Sequence, residues 1–161
     1  QDTESGVKFA NALEESNIEL SKTISGLNES YGGINTSIGD MKNSITSAVD
    51  HTFLQTVKLD HVVFKGEVYE AVLNQNKKSA SDFSDHRNCR LGQWYYGEGA
   101  EKFAKSSSFR AIERPHTDVH QLGLEAVSSY QKGDNQKCLA SLEKMEQAST
   151  QVLELLDDLV R

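Results

Sequence analysis

The chain has 161 residues, of which 37% are hydrophobic and only one is proline, and it carries a net charge of −7. This length allows one domain, or a small domain plus an extended element, and the low apolar fraction with few strand-forming clusters favours an elongated, all-helical protein. The acidic balance leaves no basic stripe for nucleic acid or for an anionic membrane surface, and no apolar run approaches the roughly 20 residues of a membrane-spanning helix.

The first stretch carries a heptad. One seam position is Ala10, Asn17, Ile24, Tyr31, Ile38 and Ile45; the other is Leu13, Leu20, Leu27, Ile34, Met41 and Ala48. A 3-4 alternation held this long predicts a helix that supercoils against a partner, and with no matching seam elsewhere in the chain the partner is a second copy. Asn17 would fix the register. Gly26, Gly32, Gly33 and Gly39 soften the middle, each costing about 1 kcal/mol relative to alanine. Residues 1–50 are therefore read as a coiled-coil signalling helix or linker. Gln1 has no signal pattern behind it and looks like the cut end of a longer chain.

From about Ser47 the seam gives way to a denser pattern containing Phe53, Leu54, Val57, Leu59, Val62, Val63, Phe64, Val68, Tyr69, Val72 and Leu73. This predicts a core helix ending near Asn74, continuous with the coiled coil. Residues 74–85 are polar and read as a loop. A short helix is expected over Cys89–Tyr96, ended by Gly97 and Gly99, with short helical turns over 100–114. Pro115 reads as the first residue of a helix running to about Gln131, with Gly133 as its stop. Asp134 caps a last helix whose Leu139, Leu142, Met145, Val152, Leu155, Leu156 and Leu159 form one face. Residues 51–161 are thus expected to form a bundle of about four helices.

His116 and His120 are four apart on a predicted helix, so both imidazoles lie on one face and can share an ion. Cys89 and His61 lie on two other predicted helices, and bundles build metal sites from facing helices in this way. Three neutral imidazoles and a thiolate suit tetrahedral zinc. Taken singly, a lone histidine is more often a hydrogen-bonded core residue and a lone cysteine a small hydrophobe. Four protein donors leave no open position for water, and neither Glu113 nor Glu125 sits between the histidines, so an enzyme is not expected. Asp60 and Asp118 are candidate partners that orient an imidazole, with surface charge as the other reading of Asp118. Trp94, Tyr95 and Tyr96 read as packing that shields the ion. Cys138 reads as core, His51 as solvated, and His86 as a surface histidine or a spare ligand.

The ordered set His61-x-x-Phe64, Cys89-x-Leu91-Gly92-x-Trp94 and His116-x-x-x-His120, with gaps of 27 and 26 residues, resembles the chemoreceptor zinc-binding domain family over roughly residues 50–161. The resemblance implies a helical bundle in which His61, Cys89, His116 and His120 bind Zn2+. It also implies attachment to a bacterial chemotaxis receptor or, less in keeping with a coiled coil ahead of the module, to a diguanylate cyclase. Cys89 would be the sensitive ligand, with zinc availability or hypochlorous acid as the cue. The order of parts looks like the C-terminal end of a chemoreceptor. The expected setting is cytoplasmic, within a membrane-anchored or soluble receptor. The expected partners are a second copy, through coiled coil and bundle, and chemotaxis signalling proteins through the upstream receptor region. No direct membrane contact is expected of this segment. A purely structural zinc that staples a dimer is the remaining alternative.

Overall fold

A computed structural model describes residues 2–73 and 77–159, and all regular structure among them is helical. Helix α1 spans Asp2–Val72, α2 Arg90–Tyr96, α3 Glu98–Phe103, α4 Ser107–Gln131 and α5 Asn135–Asp158; a single 3-10 turn lies at Ala80–Asp82. The chain divides into two compact units, Gln1–Ala48 and Val49–Arg161. No helix among the described residues is long and apolar enough to cross a membrane.

The first unit is a single stretch of helix whose seam residues all stand exposed, among them Leu20, Ile24, Leu27, Ile34 and Ile38. Nothing within that unit covers them, and a lone helix without a packed apolar face is marginal in water.

The second unit holds the core. Leu54, Val57 and Val68 of α1, Leu91 of α2, Ile112, Val119 and Val127 of α4, and Met145, Val152 and Leu156 of α5 are buried in one cluster. The buried positions on this part of α1 follow helical spacing, but five of the eleven apolar residues expected in the core are exposed: Leu59, Val62, Val63, Tyr69 and Leu73. Leu59, Val62, Val63 and Leu73 are more than half exposed. The helix carries two apolar faces here. One, through Leu54, Val57, Val68 and Val72, faces the bundle. The other, through Leu59, Val62, Gly66, Tyr69 and Leu73, falls in the same heptad register as the upstream seam. The described part of α1 ends at Val72, with Leu73 in a turn; the expected helix end at Asn74 lies outside the described residues.

Lys65 pairs with Glu146 at 2.7 Å and Tyr69 donates to the same carboxylate at 3.0 Å, which fastens α1 to α5; Lys58 pairs with Asp157 further along. Helices α4 and α5 form the hairpin of the bundle. Its turn is a Schellman motif: the Gly133 N–H donates to the Tyr130 carbonyl, the Asp134 N–H to that of Ser129, and Gly133 takes φ +78°. Asp134 then caps α5 by accepting the Lys137 N–H. Cys138 is buried, whereas Leu139, expected on the buried face, is 59% exposed.

Helix α4 begins eight residues before the expected start at Pro115. Ser106 caps it by accepting the Phe109 N–H, and Pro115 sits inside. The buried residues Phe109, Ile112, Pro115, His116, Val119, His120, Gly123, Ala126 and Val127 keep a 3-4 spacing across the proline. Burial of that stripe outweighs the roughly 3 kcal/mol cost of an internal proline.

A candidate metal centre

His61, on α1, is 3% exposed; His116 and His120, on adjacent turns of α4, are 2% and 3% exposed. Their ring nitrogens lie within 4.8 Å of one another. The ring centroids are 5.2 Å apart for His61 and His116, 5.0 Å for His116 and His120, and 6.2 Å for His61 and His120. Two imidazoles on one tetrahedral zinc, at the usual nitrogen–zinc distances, stand about 5 Å apart by the same measure.

Cys89 is brought to this cluster by the start of α2. It is the N-cap, with its sulfur accepting the Gly92 N–H, and its Sγ lies 3.2 Å from His116 Nε2. The sulfur is close to His116 but is not within 4.8 Å of all three histidines. The rest of the Cys89–Trp94 motif builds this corner. Leu91 is buried in the core. Gly92 lets the preceding turn lie against the helix: a Cβ there would stand 1.9 Å from the His86 carbonyl oxygen. Trp94 meets Phe53, Phe103 and Phe109 at centroid distances of 5.4–5.7 Å, fastening α2 to α1, α3 and α4.

The imidazoles are oriented by main-chain carbonyls. His61 Nδ1 lies 2.9 Å from the Val57 carbonyl oxygen, and His120 Nδ1 lies 2.9 Å from that of Ser84. Only a protonated Nδ1 can donate there, which leaves each Nε2 with its lone pair. The Nε2 of His61 is buried and, among the described residues, has no hydrogen-bond partner. An orphaned buried acceptor is costly unless something binds it, and a metal ion is the partner this donor set fits. Asp60, expected beside His61, pairs with Arg90 at 3.4 Å and adds its negative charge to the surroundings of His61. Asp118 lines a groove with Gln121, Glu125 and Lys144 that contains none of the four donors.

Electrostatics favour the metal-binding form of the histidines. Burial lowers the pKa of all three, and repulsion from neighbouring rings adds to it at His116 and His120, which are brought down to about 2 and about 4. All three are therefore neutral at pH 7. Burial pushes the Cys89 thiol up instead. A metal ion would have to displace its proton, and the thiolate would then exist because the ion is there.

Access is from one side. A cavity of about 420 Å³ opens beside His61, Cys89 and His120 and is walled by Phe64 and Phe83. Two ion pairs flank it, Asp60 with Arg90 and Glu67 with Lys78. Phe64 lies against His120 with centroids 4.4 Å apart and the rings tilted by 40°, and Gly123 on α4 leaves room for it, since a Cβ there would be 3.1 Å from the Phe64 ring. The carbonyls of Val57 and Ser84 and the Phe83 wall had no signal in the sequence, because a carbonyl's role depends on where the chain turns and not on residue type.

Residues 61–127 match the family model of the chemoreceptor zinc-binding domain. Over this segment the chain is similar to the chemoreceptor zinc-binding domain. The match begins at His61 and runs through Cys89, His116 and His120 to Val127, so it contains all four candidate donors. No curated protein and no solved structure matches the chain. Within the matched segment, the three buried histidines form a group able to hold a metal ion.

Proposed function

We propose that this protein is a cytoplasmic sensory or regulatory part of a bacterial chemoreceptor, in which His61, Cys89, His116 and His120 hold one Zn2+ and the zinc-bound thiolate is the switch. The observation that carries the reading is the buried, unpartnered Nε2 of His61 within a cluster of neutral imidazoles, with a thiol 3.2 Å from one of them. Four protein donors leave no site for a substrate or water on the ion, so the role is regulatory and the protein is not an enzyme. Signal would pass to chemotaxis proteins through an upstream receptor region. A second copy would cover the exposed seam of α1 and its continuation on the bundle.

In the redox form of the switch, the Cys89 thiolate attacks hypochlorous acid at the positively polarised atom. The sulfur–chlorine bond forms as hydroxide leaves; hydroxide then displaces chloride to give the sulfenic acid, and two electrons have passed from sulfur to chlorine. The sulfur loses most of its charge and weakens as a ligand, and the first turn of α2 is released from the cluster. Zinc availability is the other cue, read through the same ligands. The depth of the site also favours a purely structural zinc, which would leave Cys89 unreactive and would make chelation unfold the domain. Peptide mapping of the zinc-loaded protein under graded hypochlorous acid, alongside circular dichroism, separates the two. The switch predicts that Cys89 is oxidised at doses that leave Cys138 intact and most of the helix in place. Helix loss with Cys89 still reduced would rule the switch out.

A further inference from the structure

The turn that carries Cys89 brings a second donor to the same cluster. His86 lies three residues earlier and is partly buried. Its ring stands edge-on to that of His116 with centroids 6.1 Å apart, much as His61 stands to His120 at 6.2 Å. Zinc-bound imidazole pairs are about 5 Å apart by this measure, so the His86 ring borders the cluster and a small turn would bring it to an ion held there. Its backbone is pinned. The carbonyl of His86 packs on Gly92, and the Asp85 carboxylate accepts the N–H groups of Arg87 and Asn88 at 2.8 and 2.9 Å. Its ring is not: among the described residues no hydrogen bond holds it. The resting site has no need of it, because Cys89 already sits against His116.

We infer that His86 is a reserve zinc ligand, whose imidazole turns on the fixed 85–89 turn to take the place of Cys89 when the thiolate is lost. The inference rests on the zinc-binding reading above. Its consequence is that loss of the thiolate exchanges one ligand for another and raises the site's net charge from +1 to +2, without emptying it. The ion then draws the turn inward by its other side chain.

The test is a four-protein cycle on the full chain: wild type, His86→Ala, Cys89→Ser and the double variant. Zinc affinity is read by competition with a chromogenic chelator. Serine keeps the cap on α2, so the turn stays folded. His86→Ala alone should bind zinc within about threefold of wild type, while the double variant should bind at least about tenfold more weakly than Cys89→Ser. His86→Phe, which keeps a ring beside His116 but has no lone pair, should weaken the Cys89→Ser protein as alanine does, with helicity unchanged. Equal affinities for Cys89→Ser and the double variant would overturn the inference, since water would then fill the vacated position. So would a His86→Ala effect as large in wild type as in Cys89→Ser, because His86 would then serve the resting site. A wild type that binds no zinc at all would refute the parent reading instead.

Discussion

Each of the three clustered histidines gives up its charge to burial, and that has a measurable pH signature. In the metal-free protein the folded pKa values lie below the unfolded value near 6.5, at about 4 for His120 and about 2 for His116. Above pH 6.5 neither state binds the proton and stability is intact. Below it the unfolded chain takes up protons that the folded chain refuses, so stability falls as pH drops toward the folded values. At pH 5 either histidine alone should cost on the order of 2 kcal/mol. Urea unfolding of the metal-free protein should therefore show a clearly lower midpoint at pH 5 than at pH 7. A pH-independent midpoint would mean that the imidazoles are not buried neutral. That His61, His116 and His120 come together was legible in the sequence, because metal chemistry restricts the donor types and helical spacing puts two of them on one face. What orients them was not: Val57 and Ser84 act through their carbonyls, while of the two carboxylates considered for that task Asp60 pairs with Arg90 and Asp118 lies in a groove away from the donors.

The elements divide according to whether their signals are local. The Gly133–Asp134 hairpin was readable because a left-handed glycine followed by a capping aspartate is a complete local instruction. The start of α4 was missed because Pro115 has a strong local meaning that tertiary burial overrides; the stripe from Phe109 through His116 and beyond was the better guide. The lower half of α1 was half legible. Two apolar stripes share one helix there, and periodicity alone sums them into one crowded pattern that cannot say which residues face the bundle. Helix α2 is short and has little propensity to hold itself, so its position depends on contacts such as that of Gly92 with the His86–Arg87 backbone. Gly92→Ala would force that turn away by more than a side-chain adjustment can absorb. We expect a cost of about 1–3 kcal/mol. We also expect a clear loss of zinc affinity, because Cys89 moves with the turn, while α4 and α5 retain their helicity. Zinc competition with circular dichroism checks this, and wild-type affinity in Gly92→Ala would show that the close approach does not position the sulfur.

Across the whole molecule the two units meet different needs. The unit Val49–Arg161 buries a core of its own, whereas Gln1–Ala48 shows to solvent a seam that is apolar apart from Asn17. The exposed Leu59, Val62, Tyr69 and Leu73 continue that heptad on the bundle, where the sequence had suggested only core. A second copy is the occupant we propose for a heptad of this length. Ile24→Asp, which places a charge in the middle of the seam, should shift the protein from dimer to monomer in sedimentation velocity without altering zinc content. A protein already monomeric before the substitution would contradict the dimer.

The zinc site stands or falls on the ion. Native mass spectrometry of the purified chain, run beside His116→Ala and Cys89→Ser, measures it directly. One zinc per chain in the wild type, with most of it lost from His116→Ala and weaker retention in Cys89→Ser, is the predicted result. A wild type without zinc, or a His116→Ala protein that holds its zinc as tightly as the wild type, would contradict the metal centre described here.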